Sequence, residues 1–165
     1  MRLVVLGWGN DSRGDDALGP ALLDRMTAAG RPEVTIVEDY QLQVEHALDL
    51  VGADCALFID AGNGTPAPYA FSRLAPKRDA THSTHALSPE AVLDVYLQVR
   101  GEAPPPAFAL CVRGESFELG EGLTRDGLER LELAWSFIQT LMAEQSVEAW
   151  DRLARQSAPL VRVPA

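Results

Sequence analysis

The sequence predicts an α/β domain built on a largely parallel sheet. Short apolar runs alternate along the chain with segments of helical period, the pattern of strands and helices taken in turn. The first run, Leu3-Val4-Val5-Leu6, meets a glycine-rich turn and then a helical segment. The run Cys55-Ala56-Leu57-Phe58-Ile59 carries no polar residue and reads as a fully buried strand.

Each element has its own warrant. Residues 3–6 form the first strand, and a helix follows from about Asp15, with Leu18, Leu22 and Met26 on one face, ending near Gly30. Residues 34–37 form a second strand. A helix over 44–51 is expected to turn Ala47, Leu48 and Val51 inward. The third strand, 55–59, ends at Asp60. Residues 69–74 alternate and read as a more exposed strand. Ser88-Pro89-Glu90 is a helix start: a hydroxyl cap, proline in the first turn, and an acid favoured by the dipole. That helix continues through Val92, Val95, Tyr96 and Val99. Pro104-Pro105-Pro106 leads stiffly into a strand over 108–112. Thr124 caps the last long helix, whose Leu128, Leu131, Trp135, Ile138 and Met142 are expected to form one apolar stripe. A single domain is expected over 1–145. Residues 146–165 then form a C-terminal extension, with a short helix around Trp150 and Leu153 and a tail.

Composition narrows the function classes. At 165 residues, 47% hydrophobic and 23% charged, the chain suits one soluble domain with a continuous core. No apolar run approaches a membrane span, and Met1-Arg2 runs into the first strand without a cleavage-site pattern, so a cytoplasmic protein is expected. A net charge of −10 would repel a phosphate backbone, which excludes nucleic acid as the main partner. Cys55 and Cys111 belong to no CxxC pair and read as buried, reduced thiols.

Functional residues of such a sheet gather at the carboxyl ends of its strands. Three segments fall there: the loop from Gly7 to Asp16, Asp60-Ala61-Gly62-Asn63-Gly64, and His82-Ser83-Thr84-His85. The first loop invites a dinucleotide reading, with Glu38 or Asp39 as the ribose-binding acid. Ser12, however, breaks GxGxxG, and Asp15 and Asp16 would oppose a pyrophosphate at the helix start. Capping and dipole effects account for one of those acids better than for two. Asp60 as a turn former and His85 as a loop residue are adequate readings singly. Together, acids and a histidine at one sheet edge suit a borderline divalent metal such as zinc or nickel. No Ser-His-Asp or Cys-His set has a specific spacing, and HExxH is absent.

Gly7-Trp8-Gly9-Asn10 followed by Asp15-Asp16-Ala17-Leu18-Gly19 resembles the opening motif of the hydrogenase maturation endopeptidases, GxGN and then D(E/D)xxG. The resemblance continues through Asp60-Ala61 and His85-Ala86-Leu87-Ser88, and more weakly through Glu115-Ser116 and Gly122-Leu123-Thr124, over roughly residues 1–142. It implies a three-layer α/β/α sandwich around a twisted, mostly parallel sheet. It also implies an endopeptidase that removes a C-terminal extension from the nickel-loaded large-subunit precursor of a nickel–iron hydrogenase. Asp16, Asp60 and His85 would then be both the catalytic residues and those that meet the metal. The nickel arrives with the substrate, so no permanent cofactor is implied.

Two departures from the family pattern stand out. Asp16 occupies a place where many members carry Glu, one methylene longer. Asp39-Tyr40-Gln41-Leu42-Gln43 replaces a glycine-rich loop and reads as a specificity element, pointing toward a cytoplasmic NAD-linked hydrogenase as the source of the substrate. His82 competes with His85 as third ligand, and the run into the Ser88 helix favours His85. His46 lies in a helix away from these loops and reads as structural or solvated. Two alternatives use the same residues or loops: a chaperone-like binder of the loaded subunit that does not cut it, and a nucleotide-binding Rossmann-like enzyme.

Overall fold

The computed structural model describes residues 1–79 and 86–157. Strands β1 (Leu3–Trp8), β2 (Val34–Asp39), β3 (Cys55–Gly62), β4 (Tyr69–Arg73) and β5 (Ala107–Arg113) form one sheet in the order β2-β1-β3-β5-β4. All neighbours pair in parallel except β4, which runs antiparallel to β5 at the edge. The helices are α1 (Leu18–Ala29), α2 (Pro89–Arg100), α3 (Arg125–Ala143) and α4 (Val147–Gln156). Two short 3₁₀-helices, Gly14–Ala17 and Val44–Leu50, complete the order. No helix among the described residues is long and apolar enough to cross a membrane.

Alternation along the central strands builds two cores, one on each face. Leu3 and Val5 of β1 join Cys55, Leu57 and Ile59 of β3 and Phe108, Leu110 and Val112 of β5 beneath α1, α3 and α4. Val4, Leu6, Ala56, Phe58 and Ala107 face the other way, beneath α2 and the 3₁₀-helix Val44–Leu50. This is the expected α/β/α layering. The helix expected near Trp150 is α4, and Trp150 is fully buried in the first core, with its indole N–H shared between the Leu141 and Glu144 carbonyls.

The structure departs from the local pattern at three places. The helix expected to begin at Asp15 opens as the 3₁₀-helix Gly14–Ala17, and α1 starts only at Leu18. The segment 44–51 is also 3₁₀, whose three-residue turn puts Ala47 and Leu50 on the buried side. Leu48, expected inward, is therefore 59% exposed, and Val51 is exposed as well. In α3 the first buried residue is Gly127, packed against the Asp15 carboxylate, which turns Leu128 outward at 51% exposure. The buried stripe follows the helical period from there: Leu131, Ala134, Ile138, Leu141 and Met142, with Trp135 half-buried beside them.

Candidate active site

The carboxyl ends of β1, β2 and β3 lie side by side, and the loops leaving them make the site. Close backbone approach explains two glycines of the opening motif. A Cβ on Gly9 would strike the Asp16 carbonyl oxygen, and Gly9 holds φ +148°, a conformation rare for any other residue. A Cβ on Gly19 would come within 2.6 Å of the Trp8 carbonyl oxygen, so only glycine lets α1 pack this tightly over the end of β1.

The two adjacent acids have separate duties, and neither caps α1. Asp15 is fully buried, and it accepts from the N–H of Glu115 (2.7 Å), Ser116 (3.5 Å) and Thr124 (2.8 Å) and from the Thr124 hydroxyl (2.7 Å). Burial alone would push its carboxyl up. The Glu115 N–H, the two Thr124 donors and the Ser116 N–H outweigh that and hold it below the ordinary carboxylate value. The backbones are joined too: Asp15 N–H donates to the Ser116 carbonyl at 2.7 Å and Gly14 N–H to Glu121 at 2.9 Å. Asp15 therefore braces the first loop against the segment that enters α3.

Asp16 is half-buried and turns the other way. Its Oδ2 accepts the Asn10 N–H at 2.7 Å, while Asn10 Oδ1 accepts from Ser12. The asparagine of the motif thus folds the loop and anchors the acid. Asp60 stands in β3, half-buried, with Oδ1 accepting the Ala61 N–H at 2.8 Å. Burial first, and then the charge of Asp16, push its carboxyl up to about 7, against the opposing Ala61 N–H and Trp8 side chain. Burial is the larger cause, and the smaller part due to Asp16 puts the two carboxyls within electrostatic reach of each other. A carboxyl that holds its proton near neutral pH, beside a fixed carboxylate, is poised for proton transfer or for a cation.

His85 and His82 lie outside the described residues, as does the rest of 80–85. The segment's flanks are fixed. Asp79 accepts the Ser88 N–H at 3.1 Å and the Ser88 hydroxyl at 2.6 Å, and Ser88 Oγ in turn caps α2 through the Ala91 N–H. Leu87 N–H donates to the Leu42 carbonyl, tying the far flank to the 39–43 loop. Among the described residues no three of His, Cys, Asp or Glu converge to hold a metal. His46 is structural: its Nδ1 accepts the Gln43 N–H and its Nε2 lies 3.2 Å from Asp39. Both thiols are free, and burial pushes that of Cys55 up to about 12, which leaves it inert.

Residue patterns alone left three positions unread: Asp15 as a brace, Trp8 beside Asp60, and Asp79. The first did leave a trace, since Glu115-Ser116 and Thr124, the fainter parts of the family resemblance, are the donors to Asp15. A dinucleotide fits the structure poorly. The cleft where it would lie is lined by Asp11, Glu38 and Asp39 and, among the described residues, by no cationic side chain.

No protein-family model matches the chain, and no curated protein sequence matches it. Solved structures do. It aligns with the hydrogenase maturating endopeptidase HybD from Escherichia coli at 25% identity, over 87% of this chain and 93% of that one, with a TM-score of 0.69. An endopeptidase from Escherichia coli solved in solution gives 25% identity, 89% and 95% coverage and a TM-score of 0.69. The NiFe hydrogenase maturation protease HycI from Thermococcus kodakarensis gives 24%, 87%, 93% and 0.68. The fold that the opening motif implies is thus shared with these solved structures over most of the chain.

Proposed function

We propose that this chain is a hydrogenase maturation endopeptidase, which removes the C-terminal extension of a hydrogenase large-subunit precursor. One observation carries the reading: Asp16 and Asp60 lie within electrostatic reach of each other at the carboxyl edge of a sheet whose fold matches a hydrogenase maturating endopeptidase over 87% of this chain. The chain is then a hydrolase, and its partner is a folded protein.

The finer assignment concerns nickel. Asp16, Asp60 and His85 are taken as the residues that meet a nickel ion carried by the precursor. Two carboxylates and an imidazole are a fitting donor set for such an ion, and they leave room for donors from the substrate. Held there, the ion would supply Lewis acidity toward the scissile amide. The chain's own residues do the rest. Asn10 fixes one Asp16 oxygen, Ala61 fixes one Asp60 oxygen, and the Asp15 brace holds the loop that bears Asp16. Asp60, which keeps its proton near neutral pH, can release it as a cation arrives. The protein is taken to act in the cytoplasm.

Incubating nickel-loaded precursor with the purified protein and weighing the products tests this. Two fragments that sum to the precursor plus one water support an endopeptidase. A stable complex with an intact precursor would make the protein a binder that does not cut.

A further inference from the structure

The sheet has two edges: at β4 the Phe71 N–H and carbonyl are met by the Ser157 hydroxyl, and at the other lies β2. The carbonyls of Glu33 and Asp39 accept from Leu3 and Gly9 on the β1 side. By the two-residue period of a strand, the odd positions of β2 bond inward, and Ile36 and Glu38 turn their N–H and carbonyl groups outward. Among the described residues no other element hydrogen-bonds to those groups. Proteins commonly shield such an edge with proline, a bulge, charged side chains or a covering segment, and the charges of β2, Glu38 and Asp39, gather at its carboxyl end. β2 has no proline and stays in unbroken register with β1 over all six residues.

The edge leads to the site. At its carboxyl end a cleft of about 280 Å³, lined by Gly9, Asp11, Pro20, Glu38, Asp39 and Tyr40, joins β2 to the loop that bears Asp16. The cleft is acidic. Burial, and then the charges of Asp24 and Asp11, push the Glu38 carboxyl up, and an entering positive charge would meet Asp11, Glu38 and Asp39 along the cleft wall.

Resting on the proposed function, we infer that the β2 edge takes up the precursor chain just beyond the scissile bond, as an added strand whose basic side chains face Glu38 and Asp11. Main-chain pairing supplies affinity in such additions, and alternate side chains supply selectivity. Direction follows from topology: a chain leaving the carboxyl edge and following β2 must run antiparallel to it. Reach follows from spacing. β3 and β2 are two strand intervals apart, roughly 10 Å, which about three extended residues cover. Pairing with Glu38 and Ile36 uses the next three or so, so the removed extension needs at least about six residues.

The test uses nickel-loaded precursors with single prolines placed successively from the fourth to the eighth residue of the extension. A proline that removes a paired N–H should lower kcat/KM about tenfold, and one whose N–H faces solvent should change little, giving an alternating profile. Charge is tested separately. Glu38→Lys should lower kcat/KM several-fold, and a precursor whose basic extension residues are changed to Glu should recover it. A flat proline profile, a steady decline with distance, or efficient cleavage of extensions shorter than six residues overturns strand addition. Cleavage of the parent precursor in the same experiment leaves the proposed function standing. Failure to cleave any precursor removes both.

Discussion

The Thr124 hydroxyl donates to Asp15 Oδ2 at 2.7 Å while accepting the Gly127 N–H at 2.9 Å, so one side chain caps α3 and locks it to the first loop. The residues it joins are 109 positions apart. Asp15 is thus the structural acid of the opening pair, and Asp16 is the acid left facing the site.

Asp15→Ala should destabilise the protein by about 3 kcal/mol, because several buried donors lose their acceptor. Asp15→Asn should cost less. The sign of the pH dependence follows from the lowered native carboxyl. Its stabilisation is present above the unfolded value near 3.8 and is lost as pH falls through the lower native value. Urea melts of the parent and Asp15→Asn should therefore converge only below about pH 4. A gap that persists unchanged to lower pH would mean that the charge of Asp15 contributes nothing.

Asp60 should behave in the opposite sense. Its native carboxyl is raised to about 7, so its contribution is fully present below the unfolded value and is lost as pH rises through 7. Asp60→Asn carries no charge to bury and should have a higher Tm than the parent at pH 8. That advantage should shrink steadily toward pH 5. Parallel Tm profiles across that range would refute the raised value.

Asp16→Ala, Asp60→Ala and His85→Ala should each abolish precursor processing with the circular dichroism spectrum unchanged; Asp16 and Asp60 are half-buried and belong to neither core. Full activity in His85→Ala, with loss in His82→Ala, would transfer the third role to His82.

The isolated protein should purify without stoichiometric nickel, because two carboxylates and one imidazole leave the ion under-coordinated until the precursor adds donors. Zinc or cadmium added at high concentration should load the site in the same analysis. One tightly held metal per chain in elemental analysis would point to an ordinary metallopeptidase instead.

Specificity should depend on the outward residues of the 39–43 loop. Tyr40 is 73% exposed, whereas Leu42 is buried in the second core and Gln43 caps the following 3₁₀-helix. Replacing the whole loop would therefore disturb the fold. Tyr40→Ala with Gln41→Ala should impair processing without lowering Tm, and casein should not be cut. Rapid cleavage of casein, or of an isolated peptide copied from the precursor's C-terminus, would remove the folded partner from recognition.

The sequence by itself determined the α/β alternation, the capped starts of α2 at Ser88 and α3 at Thr124, and the edge of the sheet at which Asp16 and Asp60 lie. These follow from short-range physics: hydrophobic period, capping chemistry, and the gathering of loops at strand ends. Tertiary structure decided which of two adjacent acids was buried, because the donors to Asp15 come from residues 115–124. It also decided that Leu48 and Leu128 face water, since a 3₁₀ pitch in one segment and the seating of Gly127 on Asp15 in the other rotate their helices. The free outer groups of β2 belong to the same class. Strand order is set by long-range pairing, and Thr35, Glu38 and Asp39 mark 34–39 as a more exposed strand without saying which of its sides stays unpaired.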